Sequence, residues 1–193
     1  LAADGDYVRQ VWDRSSTGNT AEQTNASEQL LYKTSVLGNG NASFEKQSSD
    51  HLDLSSIISL GTNESFTFYI VYKKSVNRRI SAIRGSNSSR VDLRESYVQT
   101  FMDGDSSYIV HADNTDIKII TVVVDRAAET YEVYKNGSSI GSNSNVFNDG
   151  EDPEWSEIYG GGSYGDINFG NMLIYKDAHS ADQVFEVSEW LGN

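Results

Sequence analysis

Residues 116–140 read D-I-K-I-I-T-V-V-V-D-R-A-A-E-T-Y-E-V-Y-K-N-G-S-S-I, and this stretch decides the fold. It predicts strands over residues 117–124, 130–135 and 138–140. The Asn136-Gly137 pair between the last two strands is the strongest short-range hairpin signal, because a type I′ turn needs positive φ at both central residues. The sequence therefore predicts an antiparallel meander here.

Short segments of alternating apolar and polar residues continue along the chain and are separated by Ser, Asn, Gly and Asp. Residues 42–44 and 51–54 are predicted to be two strands across a polar turn. Along 66–72, the aromatic and aliphatic residues at even positions share one face, which predicts a half-buried strand. Further strands are predicted over residues 79–84, 91–100, 108–111 and 167–175, the last with Ile167, Phe169, Leu173 and Tyr175 on one side.

One helix is predicted, at the end of the sequence. Ser180 and Gln183 have the spacing of a capping box, in which each side chain bonds a backbone amide of the first turn. Val184, Val187 and Leu191 then recur at helical spacing. Trp190 beside them is predicted to anchor the helix in the core.

These patterns predict an all-β fold, a two-sheet antiparallel β-sandwich with a short C-terminal helix, and residues 1–193 as a single domain. Cysteine is absent, which excludes a disulfide framework and thiolate chemistry. The formal net charge of −13 would repel nucleic acid and anionic membrane surfaces. No apolar stretch approaches the roughly 20 residues of a membrane span. Because the chain starts at Leu1, we expect a processed product or an excised module.

Several segments occur in the order that a known family shows. Residues 11–19, V-W-D-R-S-S-T-G-N, resemble the opening segment of the laminin-G-like jelly-roll family in the concanavalin A-like lectin and glucanase superfamily. Residues 40–44 with 50–54 resemble its following hairpin. Residues 133–137 resemble its "Y-x-N-G" turn, and residues 166–175 its closing strand. The resemblance spans nearly the whole chain and implies a concanavalin A-like jelly roll.

The resemblance also implies a glycan site on the concave face or the loop rim, often beside calcium. Sugars are bound by an aromatic plate together with carboxylates and amides. Aromatic residues near polar loops are the candidates, although each could instead pack in the core. The predicted glycan contacts are Trp155, Tyr159, Tyr164, Tyr97 and Asn148.

Two acidic loops are candidates for calcium, which prefers six to eight oxygen ligands. Neither has the spacing of an EF-hand, and both could equally be solvated turns. The predicted ligands are Asp103 and Asp105 in one loop, and Asp149, Glu151 and Asp152 in the other.

No catalytic residues are predicted for the favoured function. The Glu-x-Asp-x-Glu pattern of a retaining glucanase on this fold is missing. The alternative enzyme is a polysaccharide lyase, because residues 90–95 and 108–111 faintly resemble two strands of alginate-lyase-like enzymes. That resemblance implies that Arg90 or Arg94 neutralises a uronate carboxylate while His111 moves protons.

The sequence thus favours a non-catalytic glycan-binding or adhesion domain, acting outside the cell, on a cell surface or on a virion. Its partner would be a polysaccharide or oligosaccharide of a host or cell surface. A structural domain that decorates a phage tail, a capsid or another surface assembly is the alternative. A homo-oligomer is compatible with either role.

Overall fold

In a computed structural model, the chain forms two antiparallel β-sheets with one α-helix against the outside of one sheet. The structure describes residues 2–37, 42–46, 50–61, 63–74, 80–85, 89–94, 96–102, 105–111, 116–147, 152–159 and 167–192. Within these residues the strands are β1 (Tyr7–Val8), β2 (Gln10–Trp12), β3 (Thr20–Glu22), β4 (Leu30–Lys33), β5 (Ser43–Lys46), β6 (Leu52–Ser59), β7 (Phe66–Lys74), β8 (Ile80–Arg84), β9 (Arg90–Leu93), β10 (Tyr97–Met102), β11 (Asp105–Val110), β12 (Lys118–Asp125), β13 (Thr130–Lys135), β14 (Ser138–Ser144), β15 (Glu154–Ile158) and β16 (Ile167–Tyr175). The helix α1 is Ala181–Gly192, and Ala26–Glu28 forms a 3₁₀ turn.

The strands divide equally between the two sheets. Sheet A has the spatial order β1-β4-β5-β16-β7-β12-β13-β14, and sheet B the order β11-β10-β9-β8-β15-β6-β3-β2. One hydrophobic cluster between the sheets takes side chains from both, for example Phe68 and Val122 from sheet A and Leu52 and Val91 from sheet B. The predicted all-β, two-sheet antiparallel sandwich with a C-terminal helix is confirmed.

The meander predicted from residues 116–140 is present in sheet A. Strand β12 pairs with β13, and β13 pairs with β14. At the turn, φ is 51° at Asn136 and 78° at Gly137, as a type I′ turn requires. Strand β14 continues to Ser144, four residues beyond the predicted end at Ile140.

Strand β7 is buried on both sides, whereas its alternation predicted a half-buried strand. Phe66 and Phe68 face the core between the sheets, while Tyr69 and Val71 belong to a second apolar cluster on the outside of sheet A. Helix α1 contributes Val184 and Leu191 to that second cluster. An alternating pattern whose outer positions are also apolar therefore indicates a strand covered on both faces.

The capping box of helix α1 forms as predicted. The Ser180 N–H donates to Gln183 Oε1 at 2.8 Å, and the Gln183 N–H donates to Ser180 Oγ at 3.4 Å. The prediction that Trp190 anchors the helix in the core is wrong, because its side chain is 65% exposed. Trp190 neighbours Leu191 in sequence, and the helical repeat turns only Leu191 toward the sheet. None of the helices in the described parts of the chain is long and apolar enough to cross a membrane.

Two pairings differ from prediction. Residues 91–100 are not one strand, because they divide into β9 and β10, which pair with each other. The Arg94 N–H, directly after β9, donates to the carbonyl of Tyr97, the first residue of β10, at 2.9 Å. The predicted strands at 42–44 and 51–54 do not form a hairpin, since β5 lies in sheet A and β6 in sheet B.

Strand β16 has the predicted bounds but not the predicted face. A bulge inserts one residue between Phe169 and Met172, so that the strand alternation reverses after it. Ile167 and Phe169 face the core, whereas Leu173 faces the helix. A Cβ at Gly170 would lie 2.6 Å from Leu37 Cδ1, so the Leu37 side chain packs directly against the backbone of the bulge.

Candidate functional site

The outer side of sheet B differs from the outer side of sheet A in being polar and uncovered by the helix. In β9, Val91 and Leu93 enter the core. Because successive side chains of a strand alternate, Arg90 and Asp92 point to the outer side of sheet B. We call this outer side of sheet B, across strands β6, β15, β8, β9, β10 and β11, the open face. It is the candidate functional site.

A buried carboxylate organises the arginines of the open face. Asp92 is 0% exposed, and its Oδ1 accepts a hydrogen bond from Ser81 Oγ at 2.6 Å. Its Oδ2 lies 3.3 Å from Arg90 Nε and 3.4 Å from Arg94 Nη2. Because the buried charge is paired and hydrogen-bonded, it holds both guanidinium groups in place. The Asp92 carboxylate thus joins the two arginine side chains on the open face.

Aromatic side chains of β10 and β11 lie beside these arginines. Arg90 Cζ stands 3.5 Å from the centre of the Phe101 ring, and Arg94 Cζ 5.3 Å from that of Tyr97. The Tyr97 and Tyr108 rings are 5.5 Å apart, and Tyr108 is 55% exposed. The cation–π contacts fix the guanidinium planes, while Tyr108 presents ring surface to solvent. Aromatic surface and carboxylate-binding groups therefore converge at one edge of sheet B.

Arg94 also has an unused donor. Its Nε is buried and has no acceptor among the residues that the structure describes, although the side chain as a whole is 26% exposed. A buried donor without an acceptor costs free energy, so such groups often coincide with a binding site.

A second polar group lies farther along the open face, where β6 and β15 pair. Ligand atoms of His51, Asp53 and Glu157 all lie within 4.8 Å of one another. Arg84 of β8 holds Glu157 through two bonds, Nη2 to Oε1 at 2.8 Å and Nε to Oε2 at 2.5 Å. Hydrogen bonding to Glu157 raises the pKa of Arg84 above its ordinary value. His51 and the two carboxylates are the described residues best placed to hold a metal ion.

A lysine near this group carries a perturbed charge. Lys46 is 1% exposed, and its ammonium donates to the Asp50 carbonyl. Burial lowers the pKa of Lys46 to about 8, against an opposing effect of the nearby Asp50 carboxylate. The buried position, rather than a neighbouring cation, is thus the main cause of the shift.

The structure places two of the predicted glycan contacts in the core. Trp155 is 0% exposed and packs edge-on against Phe66, with the ring centres 5.0 Å apart. Tyr159 is 3% exposed, stacks on Phe169, and donates its hydroxyl to the Gly170 carbonyl at 3.1 Å. Neither ring has a face open to a sugar, because Trp155 in β15 and Tyr159 directly after it both belong to the hydrophobic cluster between the sheets. Their predicted role as exposed sugar platforms is corrected by this burial.

The other predicted glycan contacts divide between the open face and the undescribed residues. Tyr97 lies on the open face, in contact with Arg94. Tyr164 and Asn148 lie outside the described residues, so their predicted roles stay predictions.

The predicted calcium ligands fall mostly outside the described residues. Asp103, Asp149 and Glu151 are not described, and Asp105 begins β11 but its side chain is not described. Asp152 is exposed, immediately before Pro153. The calcium sites therefore stay predictions.

The lyase alternative is only partly assembled. Arg90 and Arg94 lie together on Asp92, as their spacing along β9 requires. His111 is buried and follows β11 on the same alternation as Ile109, whose side chain enters the core. Tyr108 and Val110, which alternate with them, are exposed. The described geometry thus turns His111 away from the two arginines.

Sequence reasoning did not identify Asp92 or the group formed by His51, Asp53 and Glu157 as parts of a site. One signal was present: Arg90-Val-Asp-Leu-Arg94 alternates charged and apolar residues over a single strand, which predicts one charged face. The second group could not be found in this way, since Glu157 meets Asp53 only through pairing of distant strands.

A cleft of about 630 Å³ lies on the opposite side of the molecule, where helix α1 meets sheet A. Its walls include Leu37, Val71, Ile119 and Leu191, which are the same apolar residues that hold the helix on the sheet. The open face, whose polar groups converge, is the better-defined candidate site.

Comparison with known proteins identifies similar folds rather than a family. No protein-family model and no curated protein matches the chain. The binding domain of Paraclostridial Mosquitocidal Protein 1 is similar in structure, with a TM-score of 0.63, 14% identity, and coverage of 96% of this chain and 52% of that one. The binding domain of botulinum neurotoxin DC, solved in complex with rat synaptotagmin II, gives a TM-score of 0.63 at 8% identity, covering 96% and 51%.

A third similar structure belongs to botulinum neurotoxin type C, whose cell entry depends on interaction with two ganglioside molecules. Its TM-score is 0.60 at 10% identity, with 96% of this chain and 51% of that chain covered. The chain thus spans about half the length of the structures that it matches. At such identities the likeness shows the fold alone: this chain shares the β-sandwich architecture of these binding domains.

Proposed function

We propose that this chain is a non-catalytic glycan-binding domain, and that the sugar binds on the open face at strands β9–β11. The observation that carries this proposal is the convergence of Arg90, Arg94, Tyr97 and Tyr108 on an edge of sheet B that helix α1 does not cover. Within this proposal the chain is a laminin-G-like jelly roll that acts outside the cell, on a cell surface or on a virion.

The chemistry of the open face favours a sugar that carries a carboxylate. Guanidinium groups bind carboxylates through paired N–H donors, and Arg94 Nε has no acceptor among the described residues. The Tyr97 and Tyr108 rings offer apolar surface for the C–H faces of a pyranose. Gln99 of β10 lies two residues after Tyr97 and pairs with Tyr108 of β11, and it supplies an amide for sugar hydroxyls. A uronic or sialic acid residue would use all three features.

The structural neighbours support a binding role without defining the ligand. Two of them are binding domains, one solved in complex with rat synaptotagmin II, and the third is from a toxin whose cell entry depends on interaction with two ganglioside molecules. This chain spans about half of each neighbour. The ligand-binding residues of those proteins therefore cannot be assigned to positions of this chain. The proposal therefore rests on the open face itself.

A glycan array tests the proposal with matched arginine variants. We expect the wild-type chain to retain oligosaccharides with uronic or sialic acid, and Arg94→Gln to reduce retention at least tenfold. Arg9→Gln removes the same charge from an exposed site between β1 and β2, next to the far edge of sheet B, and should leave retention unchanged. Absence of retention by the wild type, or equal losses in both variants, would contradict the proposal.

A further inference from the structure

We propose that His51, Asp53 and Glu157 form a binding site for a divalent transition-metal ion such as Zn²⁺. This site is separate from the β9–β11 edge of the open face and does not depend on glycan binding.

Strand pairing creates the arrangement. His51 immediately precedes β6 and Asp53 lies two residues later, so both side chains project to the same side of the sheet. Glu157 of β15 is the direct pairing partner of Asp53. These positions bring one imidazole nitrogen and two carboxylate oxygens within 4.8 Å of one another. Two strands of one sheet, rather than a single loop, thus fix the three groups.

The separations match a metal site before the ion enters. His51 Nε2 and Asp53 Oδ1 are 3.7 Å apart. Ligand atoms at about 2.1 Å from a tetrahedral zinc ion are roughly 3.4 Å from one another. Asp53 is on the surface, with 57% of its side chain exposed, so it can move inward by the remaining distance.

Neighbouring side chains already orient the three groups. Arg84 binds both oxygens of Glu157, and each oxygen keeps a second lone pair that can accept the ion. Gln23 is 4% exposed and its Oε1 accepts from the Asn25 N–H at 2.9 Å, which directs its amide nitrogen to His51 Nε2 at 3.0 Å. The ion would replace this amide at the imidazole lone pair. Such outer contacts are a regular feature of protein metal sites.

The set of ligands selects the class of ion. An imidazole with two carboxylates suits zinc and other transition ions, whereas magnesium and calcium prefer oxygen ligands alone. Three protein ligands also leave a fourth position of a tetrahedral ion to water. We therefore expect Zn²⁺ and Co²⁺ to bind, and Mg²⁺ and Ca²⁺ to bind much more weakly at this site.

Calorimetric titration of chelator-treated protein with ZnCl₂, and separately with MgCl₂, tests the proposal. We expect one zinc ion per chain, a rise in melting temperature with zinc, and no comparable response to magnesium. His51→Gln and Asp53→Asn should each weaken zinc binding at least tenfold. Both replace surface or half-buried polar groups by uncharged groups of similar size, and circular dichroism without metal checks that they remain folded.

Glu22→Gln is the matched control. Glu22 is exposed on β3 and pairs directly with Asp53, so its loss removes the same charge beside the site without removing a ligand. We expect its zinc affinity to stay within twofold of wild type, and the Co²⁺ complex to keep its visible absorption. A wild type that binds no zinc, a His51→Gln variant that binds as tightly as wild type, or equal losses in Glu22→Gln and Asp53→Asn would overturn the proposal.

Discussion

The two outer surfaces of the sandwich obey the same alternation rule but carry opposite chemistry. On sheet A the outward positions are apolar, among them Tyr69, Val71 and Ile119, and helix α1 covers them. On sheet B the outward positions include Arg90 and Asp92, and no helix among the described residues covers them. Helix α1 therefore covers one outer face of the sandwich, whereas the other outer face is the one that we propose for glycan recognition.

The residue patterns of β12 and β9 explain this difference between the two outer faces. Strand β12 is apolar at consecutive positions, since Ile119 and Val123 face the helix while Ile120 and Val122 face the core. Strand β9 instead alternates strictly, which places the charged Arg90 and Asp92 on the open face and Val91 and Leu93 in the core. Helix α1 is held on sheet A by apolar contacts, in which Val184 and Leu191 cluster with Tyr69 of the sheet. Changes on the open face should therefore affect binding more than stability.

The largest effect is expected for Trp155, and its substitution tests whether this side chain belongs to the core or to the open face. Trp155→Ala should reduce the free energy of unfolding by about 4 kcal/mol, because it removes a fully buried aromatic side chain. Trp190→Ala removes a side chain that is 65% exposed and should cost about 0.5 kcal/mol or less. Urea denaturation measures both. Similar costs for the two variants would mean that Trp155 is not in the core.

A matched pair of tyrosines compares the two outer faces directly. Tyr69→Ala on the covered face should cost about 3 kcal/mol, since the side chain is buried under the helix and contacts His179. Tyr97→Ala on the open face should cost about 1 kcal/mol or less, because its ring is half-exposed. The midpoints of urea unfolding provide the measurement. A larger loss in Tyr97→Ala would reverse the assignment of the two faces.

The buried ammonium group of Lys46 makes the stability of the folded chain depend on pH. Burial lowers the pKa of Lys46 from 10.5 to about 8 in the folded chain, so below pH 8 both states are protonated and the burial cost is fully present. Above pH 8 the folded state loses the proton first, and stability rises with pH until the unfolded state also deprotonates. From pH 7 to 9.5 this gain is about 2 kcal/mol.

Urea unfolding at several pH values measures that gain against two lysine variants. Lys46→Met should lack the rise, whereas Lys176→Met, at an exposed lysine, should keep it. A rise that persists unchanged in Lys46→Met would show that Lys46 is not its source.

The smallest effect concerns the start of helix α1 on the covered face. Ser180→Ala removes the capping oxygen that accepts from the Gln183 N–H and should cost about 1 kcal/mol. Ser180→Asn, which keeps a capping oxygen, should retain most of that stability. Thermal unfolding of the two variants provides the measurement, and an equal loss in both would show that the cap contributes little.

The fold could be predicted from the sequence where local signals were sufficient. The Asn136-Gly137 turn and the Ser180-Gln183 capping box involve neighbouring residues, and both formed as predicted. The face of β16 could not be predicted, because the bulge beside Gly170 shifts the alternation without a marker in the apolar pattern. Trp155 and Trp190 were misjudged for a similar reason, since composition near a tryptophan does not determine which way it points.

The candidate site was predictable only within single strands. Arg90 and Arg94 were named from a short segment only for the lyase alternative, and Tyr97 was named as a glycan contact; the structure places the three together on the open face. Glu157 and Asp53 are far apart in sequence and meet through the pairing of β15 with β6. Strand order in a sandwich depends on contacts between residues far apart in sequence. A local sequence pattern therefore cannot predict that Glu157 and Asp53 lie side by side.

Nuclear magnetic resonance titration tests the central claim most directly. Sialyllactose and a galacturonic acid trisaccharide serve as acidic probes, with lactose as the neutral control, and amide shifts are followed along the whole chain. We predict that an acidic probe shifts the amides of β9, β10 and β11 and leaves those of α1 unchanged. Shifts confined to α1 and the outer side of sheet A, or no shift with any of these sugars, would contradict the assignment of the open face as the glycan site.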